Sequence, residues 1–504
     1  MPVIASSLFA RRDVVFAGAT GLAAIGVSAV GSATASLWGD EAASVLSAER
    51  PLPSLAVMAQ HVDAVHTLYY LGLHFWIGAV GASPFAIRFP SAVAIGVAVT
   101  GVVLLGCRLR GLRFGVLAGA IAAILPRVTD VGTEARSYAF TAAIAVVLTL
   151  LVVVQLQAPM PRRSVWVAYS ALLAMGTLLF LWLALIAVAH GVALLLARPG
   201  AAKAWFVSFT VALITASPVL TLAVLERGQV AYLATRQSFG VTALFVTPWF
   251  ENPWVALGLW PLVLGGIALS IRDGLTGVRR RHVPTHSSRT ALLLLFWLLV
   301  PSITLIAGSA VVAVYTPRYL AMCAPAVALL AALPLDALLA AHRRPLTGAA
   351  GLALLAIVAL IAPVWAQQRT PYSKNNSDWA VISAELGANA RAGDAVAFDD
   401  SVRPSRRTRL ALRTYPAGFA GLDDVTLKTP WYDTATWYDA TYTLSQARAL
   451  GRLAGVQHIW LVEYALPGHV DSGGMAAAVA AGFAEVRTIR NHRSVIIEFE
   501  RVAG

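Results

Sequence analysis

Cysteine and charged side chains are both scarce in this sequence of 504 residues. The two cysteines, Cys107 and Cys323, lie in or beside apolar segments far apart in the chain, which excludes a disulfide framework and a cysteine metal cluster. We expect both to be packing residues. Only 12% of the residues are charged, 58% are hydrophobic, and the mean hydropathy is +0.72. This balance excludes an ordinary soluble protein and predicts a polytopic membrane protein.

Lysine is scarce too, at 3 of the 38 basic residues, which is typical of a GC-rich genome such as an actinobacterium's. The formal net charge of +13 is unevenly distributed. Residues 1–365 carry 23 Lys+Arg against 11 Asp+Glu, whereas residues 366–504 carry 15 against 14. The excess lies in short loops between apolar segments, where it indicates membrane topology. We therefore predict a lipid bilayer, and no nucleic acid, as the partner of these charges.

Eleven apolar segments predict an all-α membrane module of about 11 transmembrane helices. The first runs from about Val14 to Ala35, roughly the 20 residues needed to cross a ~30 Å hydrocarbon core. Ala33-Thr34-Ala35 resembles a signal-peptidase site, but the apolar run is longer than that of a signal peptide, so we expect an uncleaved anchor. The other predicted segments are 90–106, 114–130, 137–157, 164–181, 182–197, 204–225, 253–271, 290–311, 320–340 and 347–365.

The loops between these segments alternate in basic charge. The predicted cytoplasmic side carries 16 Lys+Arg and the predicted external side seven. By the positive-inside rule this predicts a multi-pass protein of the plasma (inner) membrane with a cytoplasmic N-terminus and an extracytoplasmic C-terminal region. The cytoplasmic markers are Arg11-Arg12, Arg108, Arg110, Arg113, Arg162-Arg163, Arg198, Lys203, Arg272, Arg279-Arg280-Arg281, Arg289 and Arg343-Arg344.

The composition changes abruptly after Trp365. We therefore predict a transmembrane module over residues 1–365, with an interfacial first external loop at 36–90, and a small extracytoplasmic α/β domain over residues 366–504. The second domain lacks a Gly-rich phosphate loop, a catalytic Cys/His pair and a metal-spaced cluster, so we assign it no chemistry of its own. Its predicted elements are a helix capped by Ser377-Asp378 and reaching Ala390, strands 395–399 and 458–464, helices 405–415, 445–454 and 475–481, and a hairpin over 485–500 turning at Asn491-His492.

Four groups of polar residues are predicted to lie on the external side. A carboxylate near the interface can deprotonate a hydroxyl nucleophile, and an arginine at the same depth can hold a phosphate through two hydrogen bonds. Together the groups predict transfer from a lipid phosphate. They are Asp40 with Glu41; His61, Asp63, His66 and Tyr69-Tyr70; Glu134, Arg136 and Tyr138; and Tyr315, Arg318 and Tyr319.

The charged members of these groups also have interpretations without chemistry. Asp40 and Glu41 can be the solvated end of a helix. Arg136 and Arg318 can reach lipid head groups or pair with Glu134. The occurrence of these residues on one side favours a functional role.

The remaining members have weaker signals. His61 and His66 lack the spacing of a metal motif, so a polar or interfacial role is favoured over catalysis. The role of Asp63 is equally open. Tyr69 and Tyr70 are predicted to belong to an interfacial aromatic belt in preference to a sugar-binding platform.

Short motifs follow one another along the chain: Gly39-Asp40-Glu41; His66-x-x-Tyr69-Tyr70 with Trp76 and Gly81-x-Ser83; Arg88-Phe89-Pro90-Ser91; Glu134-Ala-Arg136-x-Tyr138; Pro317-Arg318-Tyr319; and Asp378-Trp379 with Gly393-Asp394. In this order they resemble the GT-C superfamily of glycosyltransferases that use polyprenyl-phosphate sugars. The resemblance is to the protein O-mannosyltransferase and aminoarabinose-transferase branch, and it covers most of the chain.

The resemblance implies a role for each group. Asp40, beside Glu41, is the expected catalytic carboxylate, and Arg136, Arg318 and Tyr319 are expected to bind the donor phosphate. The expected acceptor or positioning residues are Glu134, His66, Tyr69, Tyr70, Asp63 and Tyr138. Many members have His-Pro where this chain has His66-Thr67, and this departure concerns the local geometry of that loop. Some relatives use a divalent metal, for which Asp40, Glu41 and His66 are conceivable ligands, but no cofactor is favoured.

The resemblance predicts an inverting glycosyltransferase. It implies transfer of a sugar, with mannose favoured, from a polyprenyl phosphate to a hydroxyl of an envelope glycan, glycolipid or protein at the extracytoplasmic face. Arabinose or an amino sugar is the main competitor. A transporter without chemistry and a scaffold that presents residues 366–504 are alternatives, although we find no internal repeat of the kind transporters have.

Overall fold

The computed structural model describes residues 9–158, 160, 162–235, 238–279, 286–341, 344–465 and 472–502. This part of the chain is mostly helical and ends in a small sheet. It divides into two compact units. The membrane unit holds the described residues up to Val30, then 64–69 and 88–367. The sheet unit holds residues 31–63, 70–87 and the described residues from 368 onward. Most of the predicted first external loop thus groups with the C-terminal residues.

Long apolar helices make up the membrane unit. Each predicted segment coincides with one of them. In lipid the backbone N–H and C=O groups must bond to each other, so a continuous apolar segment favours a helix. The helices are Arg11–Ala29, Pro84–Arg110, Leu112–Ile124, Tyr138–Gln157, Arg163–Leu179, Ala184–Ala197, Pro199–Leu225, Pro253–Arg279, His286–Gly308, Ala324–Ala340 and Arg344–Gln367, with the short helix Pro126–Val131.

Seven helices of the described residues are long and apolar enough to cross a membrane. Four shorter apolar helices accompany them: Leu112–Ile124, Arg163–Leu179, Leu181–Leu196 and Leu292–Gly308. The structure is therefore that of a multi-pass membrane protein, whereas the number of 11 crossings stays a prediction. Arg280, Arg281 and Arg343, used above as cytoplasmic markers, lie outside the described residues.

One predicted helix is interrupted and one predicted break is present, each with a visible backbone cause. The predicted segment 114–130 is interrupted at Leu125, whose ψ of 128° precedes Pro126, and a separate short helix follows. A residue before proline is pushed out of the helical region. The long apolar stretch 164–197 divides at Phe180, whose extended backbone (φ −163°, ψ 108°) separates two helices through a 3₁₀ turn. The predicted helical hairpin is thus present.

The interior of the membrane unit combines close helix packing with a few satisfied polar groups. Gly106 faces Gly115 so closely that a Cβ on Gly106 would lie 2.4 Å from the Gly115 Cα, the small-residue contact favoured between membrane helices. Cys323 is buried with its Sγ 3.3 Å from the Trp297 carbonyl, and both cysteines are free thiols, which confirms a packing role for Cys323.

Short helices begin the sheet unit: Gly39–Ala48, Leu52–Met58 and most of Thr67–Val80. Its C-terminal part contains β1 (Ala395–Phe398), β2 (Asp423–Asp424), β3 (Leu427–Thr429), β4 (Ala440–Thr441), β5 (His458–Tyr464), β6 (Phe483–Arg490) and β7 (Ser494–Arg501). Helices Trp379–Asn389, Leu410–Thr414, Leu444–Ala449 and Ser472–Ala480 accompany the strands.

The main sheet has the strand order β2-β1-β5-β7-β6. Strand β1 pairs in parallel with β2 and β5, with Val396 opposite Trp460, while β7 is antiparallel to β5 and β6. All four residues of β1 are buried, as expected of a central parallel strand. Strands β3 and β4 form a separate antiparallel pair. The predicted hairpin turning at Asn491-His492 is confirmed.

The predicted cap of helix Trp379–Asn389 is wrong. Asp378 stands at the N-cap position, but its carboxylate accepts the Arg493 N–H at 2.7 Å and the Ser494 hydroxyl at 2.9 Å. The N–H of Ala380, in the first turn of the helix, donates instead to Ser36 Oγ at 3.2 Å. The Asp378 carboxylate is thus bound by the β6–β7 hairpin, and Ser36, far away in sequence, caps the helix in its stead.

Candidate functional site

The membrane unit brings two of the predicted motifs into an ion pair. Glu134 lies in the turn after helix Pro126–Val131, and Arg318 lies in the 3₁₀ segment Pro317–Cys323. Arg318 Nη1 donates to Glu134 Oε1 at 3.3 Å, with 22% of the arginine side chain and 4% of the glutamate side chain exposed. The alternative that Arg318 pairs with Glu134 is therefore what the structure contains.

Aromatic rings surround this ion pair. The guanidinium carbon of Arg318 lies 5.6 Å from the centre of the Tyr138 ring. Tyr138 contacts Tyr319 and Phe180 with ring centres 6.1 and 5.6 Å apart, and Phe180 contacts Tyr319 at 5.1 Å. Cation–π attraction and the low polarity of these rings hold the arginine head in one place. Phe180 was not predicted as a site residue; the break in the apolar stretch that it causes is the signal that could have found it.

Arg136 is held through its backbone carbonyl. It is buried, at 8% exposure. The Ser91 hydroxyl lies 2.7 Å from the Glu134 carbonyl and 3.5 Å from the Arg136 carbonyl. The neighbouring Arg88 is 1% exposed. The motif at 88–91 and the motif at 134–138 thus meet.

Arg127 is a buried cation that the sequence analysis missed. Its Nη1 lies 2.8 Å from Asp130 Oδ2 and 3.2 Å from Glu251 Oε1, and its Nε donates to the Pro248 carbonyl at 3.0 Å. These contacts tie the segment before Glu134 to residues 247–251. The arginine lies inside the predicted segment 114–130, where no site residue was predicted before Glu134.

His66 and Tyr69 lie in the part of the loop that belongs to the membrane unit. Both are buried, at 6% and 5% exposure, and the Tyr69 ring contacts Phe140 with centres 6.0 Å apart. The Ala64 N–H, at the start of this segment, donates to Glu226 Oε2 at 3.0 Å. A buried tyrosine does not face outward, so the interfacial belt predicted for Tyr69 is wrong.

In the sheet unit, Asp40 and Glu41 occupy the first turn of helix Gly39–Ala48. Asp40 is half-buried, whereas Glu41 is 0% exposed. The helix start is fixed by its backbone: a Cβ on Gly39 would lie 2.5 Å from the Ser405 carbonyl oxygen, and the Leu37 N–H donates to the Tyr415 hydroxyl at 2.8 Å. Of the two acids, Asp40 is the one a substrate can reach.

Asp63 forms a second anchored carboxylate in the sheet unit. It has a positive φ of 59°, accepts a hydrogen bond from the Tyr70 hydroxyl, and accepts the Trp437 indole N–H at 3.2 Å. Tyr70 is fully buried, so the belt role predicted for it is wrong as well. Trp437 was not predicted, because no local pattern relates it to a residue 374 positions earlier.

Arg50 ties the same region together. It is fully buried, its Nη1 donates to the Thr434 carbonyl at 2.8 Å, and its Nη2 donates to the Thr436 carbonyl. Burial lowers the pKa of Arg50 to about 10, while the charge of Asp433 acts in the opposite direction. The side chain stays charged at neutral pH and fixes the loop that carries Trp437.

Within each unit the predicted residues are thus partly assembled. The membrane unit joins Glu134, Arg318, Tyr138 and Tyr319, with the backbone of Arg136 beside them, and the sheet unit joins Asp63 and Tyr70. His61 has its Nδ1 2.9 Å from the Val57 carbonyl in the first external segment. Across the described ranges, no three His, Cys, Asp or Glu side chains form a group that could hold a metal ion.

No protein-family model matches the sequence, and no curated protein matches it. Comparison with solved structures does find similar folds. ArnT from Cupriavidus metallidurans, in the apo state and bound to undecaprenyl phosphate, superposes with a TM-score of 0.56 at 13% identity, covering 95% of this chain and 97% of that chain.

An oligosaccharyltransferase from Archaeoglobus fulgidus gives a TM-score of 0.48 at 12% identity, covering 87% of this chain and 68% of that chain. The fold assignment rests on the two ArnT structures, and at their identity it concerns the fold alone. The chain thus has a fold similar to that of ArnT along most of its length, and the number of membrane crossings stays a prediction.

Proposed function

We propose that this protein is an inverting membrane glycosyltransferase that transfers a sugar from a polyprenyl-phosphate carrier to a hydroxyl of an envelope glycan, glycolipid or protein. The observation that carries the proposal is the cluster of Glu134, Arg318, Tyr138 and Tyr319, with Arg136 beside it. An arginine fixed by an aromatic ring, Arg318, with the buried Arg136 nearby, suits a phosphate that gains charge as it leaves. The similar ArnT fold, known with undecaprenyl phosphate bound, supports a lipid-phosphate carrier.

The proposed reaction is a single displacement. Asp40 accepts the proton of the acceptor hydroxyl as its oxygen attacks the anomeric carbon. The bond from that carbon to the phosphate oxygen breaks, and the electron pair leaves with the polyprenyl phosphate. Arg136 and Arg318 stabilise the departing phosphate. One attack from the face opposite the leaving group inverts the anomeric configuration, so no covalent sugar–enzyme intermediate is needed.

The remaining residues are assigned by their contacts. Glu134 orients Arg318 and Tyr319 borders the phosphate site, while Tyr138 stacks against the arginine. Asp63 and Tyr70 are assigned to positioning the acceptor. The buried His66 and Tyr69 are assigned to shaping the segment between Asp63 and Tyr70. The buried Glu41 is assigned to support Asp40. Mannose is the proposed sugar, with an extracytoplasmic site and no metal requirement.

The test is sugar transfer by the purified full-length protein. Synthetic polyprenyl-phosphate mannose and arabinose, each radiolabelled, are offered with an envelope-lipid extract, and Asp40→Asn protein and a chelator serve as controls. Mannose transfer that the Asp40→Asn protein loses and the chelator leaves intact is the expected result. Arabinose transfer would keep the mechanism and correct the sugar. A folded protein that transfers neither sugar would contradict the assignment and favour a transporter.

A further inference from the structure

A long apolar groove lies between helices Arg163–Leu179 and Pro199–Leu225 of the membrane unit. Its volume is about 1070 Å³, at the upper end of the range for binding cavities. Most of its lining is aliphatic, including the exposed side chains of Val167, Met175 and Val207. Two lining residues carry charge, and both are cations: Arg163 and Lys203. The groove is independent of the cluster around Arg318 and has no role in the proposed reaction.

Both cations lie at the same end of the groove. Gln155, near the end of helix Tyr138–Gln157, has its Nε2 2.6 Å from the Arg162 carbonyl, and its own carbonyl accepts a hydrogen bond from Arg198. Residues 162 and 198 immediately precede the two groove helices. The helices therefore start together and run in the same direction, and their amino ends add partial positive charge beside Arg163 and Lys203.

Three other basic residues near this end are already engaged. Arg110 lies 2.7 Å from Asp273, Arg113 lies 2.7 Å from Asp336, and Arg198 donates to two backbone carbonyls. Arg163 and Lys203 are exposed, and neither has an ion pair or a hydrogen bond with any residue that the structure describes. The groove thus combines an apolar trough with two cations whose charge the described residues do not balance.

A tryptophan lies one helical turn inside the groove from this end. Trp166 lines the groove and is 6% exposed, and its indole N–H has no hydrogen-bond acceptor among the described residues. Three residues along a helix correspond to about 4.5 Å, so Trp166 starts one turn below Arg163. Its ring adds an aromatic wall to the apolar part of the groove.

The cationic end lies far from the proposed donor site. Arg136 stands just before helix Tyr138–Gln157 and Arg163 a few residues after it, and a helix of 20 residues is about 30 Å long. The two ends of this helix therefore correspond to opposite faces of a bilayer. We propose that the groove binds an anionic glycerophospholipid of the leaflet opposite the donor site, with its phosphate between Arg163 and Lys203 and its acyl chains along Val167, Met175 and Val207.

Native mass spectrometry of the full-length protein tests this proposal. The protein is titrated with phosphatidylglycerol, with phosphatidylcholine of the same acyl chains, and with a polyprenyl phosphate. Two basic residues near a phosphate predict a preference of about thirtyfold for phosphatidylglycerol over phosphatidylcholine. The double substitution Arg163→Gln with Lys203→Gln should remove that preference. Arg272→Gln, which changes an exposed arginine beside Asp273 outside the groove lining, is the matched control and should keep it.

A second variant tests the groove while keeping both cations. Ala171 is exposed and lines the groove, so Ala171→Phe should fill the trough and weaken both phospholipids. Unchanged phosphatidylglycerol binding in the double variant, or in Ala171→Phe, would overturn the proposal. Equal binding of the two phospholipids by the wild type would do so as well. Displacement of phosphatidylglycerol by an equal concentration of polyprenyl phosphate would assign the groove to the carrier lipid and overturn the assignment made here.

Discussion

The two units hold their acids in different ways. In the membrane unit, Glu134 is oriented by the charge of Arg318, 3.3 Å away. In the sheet unit, the start of the Asp40 helix is oriented by main-chain packing, through Gly39 against Ser405 and through the Leu37 N–H. An asparagine at position 40 should therefore occupy the same place as Asp40. A substitution of either Glu134 or Arg318 should instead disturb the other residue of the pair. The main-chain anchoring of Asp40 suits a base, and the ion pair of Glu134 with Arg318 suits a fixed phosphate clamp.

The largest expected effect distinguishes the roles of the adjacent acids Asp40 and Glu41. Asp40→Asn should lower the transfer rate about 10²–10⁴-fold, since a general base is lost, while thermal unfolding stays unchanged. Glu41→Gln changes a fully buried side chain, so we expect it to lower thermal stability more than the rate. Radiolabelled transfer and thermal unfolding are measured on both proteins. A stable Glu41→Gln protein that loses more activity than Asp40→Asn would reverse the assignment.

The next effect belongs to the membrane unit. Arg318→Ala should lower the rate about 10²–10³-fold through lost stabilisation of the leaving phosphate. It also leaves Glu134 buried without its cation, which should destabilise the protein by about 3 kcal/mol. Adding Glu134→Gln to Arg318→Ala should restore thermal stability and leave the rate low. A double variant that regains activity would show that Arg318 acts only by neutralising Glu134.

A smaller effect tests the main-chain anchoring of Asp40. Gly39→Ala places a Cβ 2.5 Å from the Ser405 carbonyl oxygen, so the helix start must shift, and misplacement of a catalytic group should lower the rate about tenfold or more. Gly78→Ala is the matched control in the same unit, because no atom lies within 4 Å of the added Cβ. Equal rates for the two variants would argue that the position of Asp40 does not depend on Ser405.

The elements of the fold could be predicted to a large extent from local sequence. Apolar stretches of membrane length became helices, and the turn at Asn491-His492 joined two strands as expected. The break near Phe180 was predicted, whereas the break at Leu125 was not, because an apolar pattern alone does not register the effect of Pro126 on the residue before it. The division of the chain depends on long-range packing, which is why most of the first external segment groups with the C-terminal residues.

Site residues that belong to a sequence motif could be predicted. Residues outside the motifs that hold the site in place could not. Glu134 and Arg318 were found by type and order, and their contact confirms that these two motifs meet. Trp437 was missed because its partner Asp63 lies 374 positions earlier. Arg127 was missed because it lies inside an apolar segment, and two of its partners, the Pro248 carbonyl and Glu251, come from a distant part of the chain. The cap at Asp378 was predicted wrongly for the same reason: the β6–β7 hairpin takes its carboxylate.

The smallest expected effect concerns Asp63, which the sheet unit orients by two hydrogen bonds. Trp437→Phe removes the indole donor at 3.2 Å and leaves the Tyr70 hydroxyl in place. One hydrogen bond to a charged group is worth about 1.5 kcal/mol, so the KM for the acceptor should rise about tenfold at most, with the KM for the donor unchanged. Tyr70→Phe is the companion variant, and the two changes together should exceed either alone. A lower unfolding temperature with both KM values unchanged would make Asp63 a structural residue, and the proposed reaction would then depend on Asp40 without a part for Asp63 in acceptor binding.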